Sequence, residues 1–107
     1  MAKSRAYILI YDTGVSDHIA TVEKKYHSLI RREIEQQLRY EPNVETRNRK
    51  PLLRASSFAS AWELRIGPNN RFRVFYKADD ELRTVNILAI GVKIKDRLYI
   101  GGKEFEL

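Results

Sequence analysis

Trp62-Glu63-Leu64-Arg65-Ile66, Gly67-Pro68-Asn69-Asn70, Arg71-Phe72-Arg73-Val74-Phe75-Tyr76-Lys77, Ala78-Asp79-Asp80-Glu81 and Thr84 to Lys93 follow one another through the second half of the chain. The first, third and last pieces are rich in branched and aromatic residues. The two between them are turn clusters. Three strands joined by short turns make an antiparallel meander. Side chains two apart on a strand share a face. Trp62, Leu64 and Ile66 therefore lie opposite Glu63 and Arg65, and Phe72, Val74 and Tyr76 lie opposite Arg71, Arg73, Phe75 and Lys77. One face reads as core and the other as a wet, cationic surface. Thr84 to Lys93 is nearly continuous in apolar residues, as expected of a buried central strand.

Upstream, Tyr7-Ile8-Leu9-Ile10-Tyr11 reads as a first strand ending at the turn Asp12-Thr13-Gly14. Ser16 or Asp17 then suits a helix N-cap. Apolar residues recur at Ile19, Val22, Tyr26, Leu29, Ile30, Ile34 and Leu38, which is one face of a helix. The pattern stops at Tyr40-Glu41-Pro42. The span is long for a chain of this size, and Tyr26-His27-Ser28 is its weakest helical stretch, so a two-helix hairpin broken there is expected. Thr46 to Ala61 has no period and reads as a basic loop with one short strand. Arg97 to Ile100 is a last strand-like piece before Gly101-Gly102. The expected architecture is α+β: an N-terminal strand, a two-helix hairpin and an antiparallel three-stranded meander, forming one sheet with the helices packed on one face.

The chain has 107 residues, of which 43% are hydrophobic. That fits a single domain over 1–107 with one modest core, and disorder is not expected. There are no cysteines. A disulfide framework and thiolate chemistry are thereby excluded. The apolar run near the start, Ala6 to Tyr11, is too short for a signal peptide core or a membrane span, which leads us to expect a cytoplasmic protein with no membrane partner.

The formal charge of +6 is concentrated in one segment. Residues 1–45 hold 7 Lys/Arg and 7 Asp/Glu, residues 46–78 hold 8 and 1, and residues 79–107 hold 5 and 6, so the middle block carries +7 and the rest −1. Such a block suggests a footprint for a polyanion, with Arg47, Arg49, Lys50, Arg54, Arg71 and Lys77 as candidate phosphate contacts. The plainer alternative is a solvated face, with ordinary Glu–Arg pairing across the strands. A single Glu63 among several arginines weighs against pairing for the whole set. His18 and His27 complete no metal-ligand set, Gly101-Gly102-Lys103 lacks the P-loop spacing, and Ser56, Ser57 and Ser60 have no evident base. Any chemistry must come from Arg, Lys, Tyr and Glu, with no cofactor and no metal. That set suits phosphoryl transfer, and RNA brings its own 2′-hydroxyl nucleophile.

The order strand, helix pair, basic loop, meander resembles the RelE/ParE superfamily of toxins from bacterial toxin–antitoxin pairs. The likeness is carried by Thr46-Arg47-Asn48-Arg49-Lys50-Pro51-Leu52, Trp62-Glu63-Leu64-Arg65-Ile66-Gly67, Arg73-Val74-Phe75-Tyr76 and Ile87-Leu88-Ala89-Ile90-Gly91-Val92-Lys93. The resemblance implies a toxin held by a cognate antitoxin. RelE-like members cut mRNA on the ribosome, whereas ParE-like members poison DNA gyrase. On the RelE-like reading Arg73 matches an arginine used at the scissile phosphate, and Arg65 and Lys93 fall near further basic positions. Tyr99 falls where some members carry a functional tyrosine, although it also fits a short C-terminal strand. Glu63 is the candidate proton acceptor, or else a salt-bridge partner of Arg65. The expected activity is that of a metal-independent, ribosome-dependent mRNA endonuclease. The alternatives are a gyrase inhibitor or an inactive member that only binds antitoxin or nucleic acid.

Overall fold

The computed structural model describes residues 6–52 and 62–106. Strand β1 (Ile8–Tyr11) is followed by helix α1 (Val15–Ala20), a 3-10 turn over Lys24–Tyr26 and helix α2 (His27–Leu38). Then come β2 (Arg49–Pro51), β3 (Trp62–Ile66), β4 (Phe72–Asp79), β5 (Thr84–Ile94), β6 (Arg97–Ile100) and β7 (Lys103–Phe105). The class is α+β. No helix among the described residues is long and apolar enough to cross a membrane.

The expected meander exists as β3, β4 and β5, but it is the middle of a larger sheet. Seven strands pair in the order β2-β3-β4-β5-β6-β7, with β1 parallel to β5. The strand-like piece Arg97 to Ile100 forms β6 and the short strand expected in the basic loop is β2, while β7 is a three-residue addition with little hydrophobic period. The edges of β3, β5 and β6 take β2, β6 and β7 respectively, because unpaired backbone groups there need partners. Long β5 serves two strands on one edge: β1 covers Thr84 to Ile87, and β6 covers Gly91 to Ile94. Between them the amide of Ile90 donates to Nδ1 of His18 on α1, at 3.2 Å.

The helix pair breaks earlier than the sequence suggests. Helix α1 starts at Val15 with Gly14 at its N-cap position, ahead of Ser16 and Asp17. It ends at Thr21, whose hydroxyl donates to the carbonyl of His18 at 2.7 Å. A side chain that captures a helix carbonyl in this way competes with continuation of the helix. The weak stretch at Tyr26-His27-Ser28 instead starts α2, and the His27 ring reaches back across the break to the Val22 carbonyl at 2.7 Å.

Both faces of the central strands are buried. On the helix side Val15, Ile30, Ile34 and Leu38 pack with Leu64, Val74 and Ile87. On the other side Phe75, Ala89 and Leu98 form a second cluster under Ile100 and Phe105. Phe75, expected on the wet face, is fully buried. The β6–β7 hairpin folds over it, and Gly91 permits the close approach. A Cβ at Gly91 would lie 2.8 Å from a Leu98 methyl and 3.0 Å from the Tyr99 carbonyl oxygen. The register shifts between Phe75 and Tyr76, which pair with Ala89 and Ile87. Leu88 is the extra residue of this bulge. It moves the alternation of β5 by one and explains why the sequence there is apolar without a period.

Candidate functional site

The bond pattern of the sheet brings Glu63, Arg65 and Arg73 together. Arg65 and Arg73 are directly paired across β3 and β4, with Glu63 two residues from Arg65 on the same face. Two facing guanidinium groups repel, and a carboxylate between them resolves the repulsion. Arg65 Nε donates to one Glu63 oxygen at 2.8 Å, and an Arg73 terminal nitrogen donates to the other at 3.3 Å. Arg73 Nε also donates to the Asn70 carbonyl at 3.0 Å. One glutamate therefore serves two of the arginines, Arg65 and Arg73, and among the described residues no ion pair joins it to Arg71. Glu63 is buried at 4% exposure, and both of its oxygens are engaged.

Arg73 and Lys93 stand where two concavities meet. The smaller, about 410 Å³, lies on the face covered by the β6–β7 hairpin. Glu63, Asp96, Glu104 and Glu106 border it along with three cations, so it is a poor receptacle for phosphate. The larger, about 900 Å³, opens at the end of the sheet where β4 begins and β5 ends. Arg71, Arg73, Lys93 and Lys95 line it against the single acid Glu23, and Tyr26 and Tyr99 supply aromatic wall. Four cations and one carboxylate around a cleft concentrate positive potential there. Strand pairing places Tyr99 opposite Val92, on the helix side of the sheet, away from Glu63. Tyr99 thus shares the large cleft with Arg73 and Lys93 but does not share a face with Glu63.

Arg71 leaves the expected alternation because it caps the turn Pro68–Asn70 in a helical conformation before β4 begins. Its guanidinium lies 5.6 Å from the Tyr26 ring centre and 5.9 Å from that of Phe72. The two rings are themselves in contact at 5.1 Å. The remaining basic residues scatter. Arg49 is buried, and its guanidinium donates to the carbonyls of Val44 at 2.9 Å and Gln37 at 2.6 Å, which fastens β2 to α2. Lys50 pairs with Glu45 at 3.6 Å. Arg47 and Lys77 are exposed, and Arg54 lies outside the described residues.

Sequence patterns do not reveal Tyr26 and Lys95 as cleft residues. Tyr26 reads as core from its helical spacing, and Lys95 sits in a turn that no pattern singles out. The signal that joins them to the site is tertiary. The amide of Lys93 donates to the Arg71 carbonyl at 2.7 Å, so the two turns at this end of the sheet lie side by side.

No family model matches the sequence, and no curated protein matches it. Among solved structures the chain is similar to one from the toxin–antitoxin complex RelBE2 of Mycobacterium tuberculosis. The two share 25% identity with a TM-score of 0.68, over 87% of this chain and 98% of the other. The chain is RelE-like in fold. In this RelE-like chain Arg65, Arg73 and Lys93 all stand on the central antiparallel strands β3, β4 and β5.

Proposed function

We propose that this RelE-like chain is the cytoplasmic toxin of a toxin–antitoxin pair, restrained by a cognate antitoxin and acting as an mRNA endonuclease on the ribosome. The observation that carries the proposal is the cleft in which Arg73, Lys93 and Tyr99 meet. In the reaction, the ribose 2′-oxygen attacks the adjacent phosphorus. The 2′-O–P bond forms and the P–O5′ bond breaks, leaving a 2′,3′-cyclic phosphate and a free 5′-hydroxyl. The 2′-hydroxyl loses its proton and the departing 5′-oxygen gains one. No metal is required for this balance. Arg73 and Lys93 would neutralise the charge that develops on the phosphoryl oxygens, and Tyr99 would take part in proton transfer. Both oxygens of Glu63 already accept bonds from Arg65 and Arg73, which suits a positioning role better than that of a base. Glu63 would fix the guanidinium of Arg73 at the cleft, with Arg65 completing the pair.

Cleavage of a defined mRNA in purified programmed ribosomes, mapped by primer extension, tests the reading. Cuts in the ribosomal A site that fall at least about a hundredfold with Lys93→Gln and with Tyr99→Phe are expected. Lys93 is exposed, so the first substitution spares the core. Wild-type protein that leaves the message uncut sinks the nuclease reading.

One observation favours the second reading, a gyrase inhibitor. The Arg73 side chain is only 11% exposed and is tied to Glu63, as a purely structural ion pair would be. That reading expects blocked supercoiling by purified protein, unaffected by Lys93→Gln.

A further inference from the structure

Tyr26, Phe72 and Arg71 form a stack on the wall of the large cleft, next to Arg73. Arg71 lies over both rings of a tilted aromatic pair. Lys25 approaches the same Tyr26 ring at 5.1 Å. A guanidinium held by aromatic faces is desolvated on that side and fixed in plane. No acidic partner satisfies Arg71 among the ion pairs of the described residues, whereas Arg65 and Arg73 share Glu63. Lys93 and Lys95 flank it from the end of β5 and the turn beyond. The turns that carry these groups hold their backbone in the left-handed region at Asn69, Asn70 and Lys95, with φ of 56°, 52° and 57°. Asn adopts that region readily, and the two-residue turn from β5 to β6 favours it at Lys95.

Planar cations on aromatic supports, with lysines at the flanks, match the chemistry of an unpaired nucleotide. The base stacks on the guanidinium plane, and the neighbouring phosphates meet the ammonium groups. An acidic protein segment would use the charges but gain little from the planar stack, and a duplex would not present a base face to it. We propose that Arg71, backed by Tyr26 and Phe72, is a stacking platform for one base of single-stranded RNA, with Lys93 and Lys95 binding its flanking phosphates. The platform would hold the nucleotide beside the one presented to Arg73. The inference rests on RNA being the substrate of the adjoining centre, but it concerns binding and is tested without cleavage.

Fluorescence anisotropy with a short fluorescein-labelled single-stranded RNA, titrated with full-length protein at several salt concentrations, gives affinity and salt slope together. Arg71→Gln is expected to weaken binding roughly tenfold and to reduce the salt slope by about one. Arg71→Lys restores the charge without the plane. It is expected to recover the slope while leaving part of the affinity loss. Arg31→Gln, on the exposed face of α2 and outside the cleft lining, serves as the remote control and leaves both unchanged. Unchanged affinity in Arg71→Gln, or full recovery by Arg71→Lys, would overturn the platform. So would an acidic peptide that displaces the RNA and shows the same dependence on Arg71, since the cleft would then belong to a protein partner. If the RNA binds as expected but programmed ribosomes stay uncut, the nuclease reading fails and the binding site stands. If cleavage occurs but Arg71→Gln binds normally, the platform fails and the nuclease reading stands.

Discussion

Arg65 and Arg73 face one another across β3 and β4, a pairing that costs energy unless an anion intervenes. Glu63 is that anion, and its burial makes the dependence sharp. Glu63→Gln would leave two facing cations beside a neutral amide that can accept through one oxygen only. We expect a loss of about 1–3 kcal/mol, well below the figure for a fully buried pair because the Arg65 side chain is 39% exposed. The check is urea unfolding: the midpoint should fall with no change in slope. A midpoint within error of wild type would show that water already satisfies the two arginines. Simple alternation along β3 and β4 is enough to group Glu63, Arg65 and Arg73 on one face from their spacing alone. What spacing does not display is that one carboxylate reaches both arginines, because the reach depends on which residues stand opposite across the turn. Arg49 makes the same point in reverse. In the sequence it falls in a basic, loop-like segment and reads as a phosphate contact, yet in β2 it donates to carbonyls of the chain upstream.

Helix α1 is only six residues long and could not persist alone. Part of its hold on the sheet is His18, whose ring fills the gap between β1 and β6 along β5 by accepting the Ile90 amide proton. To accept, Nδ1 must carry no proton. Burial of the ring lowers the pKa of His18, against the opposing pull of Asp17 and Asp12. The unfolded chain, with an ordinary value near 6.5, therefore binds a proton more readily than the folded one. The stabilisation is fully present above that pH and is lost as pH falls through it toward the lowered folded-state value. Unfolding free energies measured from pH 7.5 down to 5.5 should decline, and His18→Gln should flatten part of that decline. An identical decline in the variant would assign it to other groups. The helical spacing of 19–38 is legible in the sequence because packing against a sheet demands it. The position of the break is not, since it depends on Thr21 turning its hydroxyl onto its own helix. Of the outer strands, Arg97 to Ile100 is legible as a strand-like piece and one short strand is expected in the basic loop, but β7 is not, because its three residues are held by the edge of β6 more than by their own pattern.

At the scale of the whole molecule, the positive block of residues 46–78 does not survive folding as a block. Arg49 is buried against α2, Lys50 meets Glu45, and Arg65 and Arg73 share Glu63. Arg71 is carried to the end of the sheet, where Lys93 and Lys95 from outside the block join it. Charge along the sequence therefore does not locate positive potential in space; the fold does. The consequence is measurable. Lys77 belongs to the block and is exposed, but it lies five residues along β4 from Phe72, roughly 17 Å from the cleft end. Lys95 lies outside the block and lines the cleft. If local potential in the cleft governs RNA binding, Lys95→Gln should lower the salt slope by about one while Lys77→Gln leaves it nearly unchanged. If net charge governs, the two substitutions remove the same charge and should act alike. Beyond a Debye length of about 8 Å at physiological ionic strength, exposed charges are largely screened. The distance from Lys77 to the cleft exceeds that length about twofold, which is why the unequal result is expected.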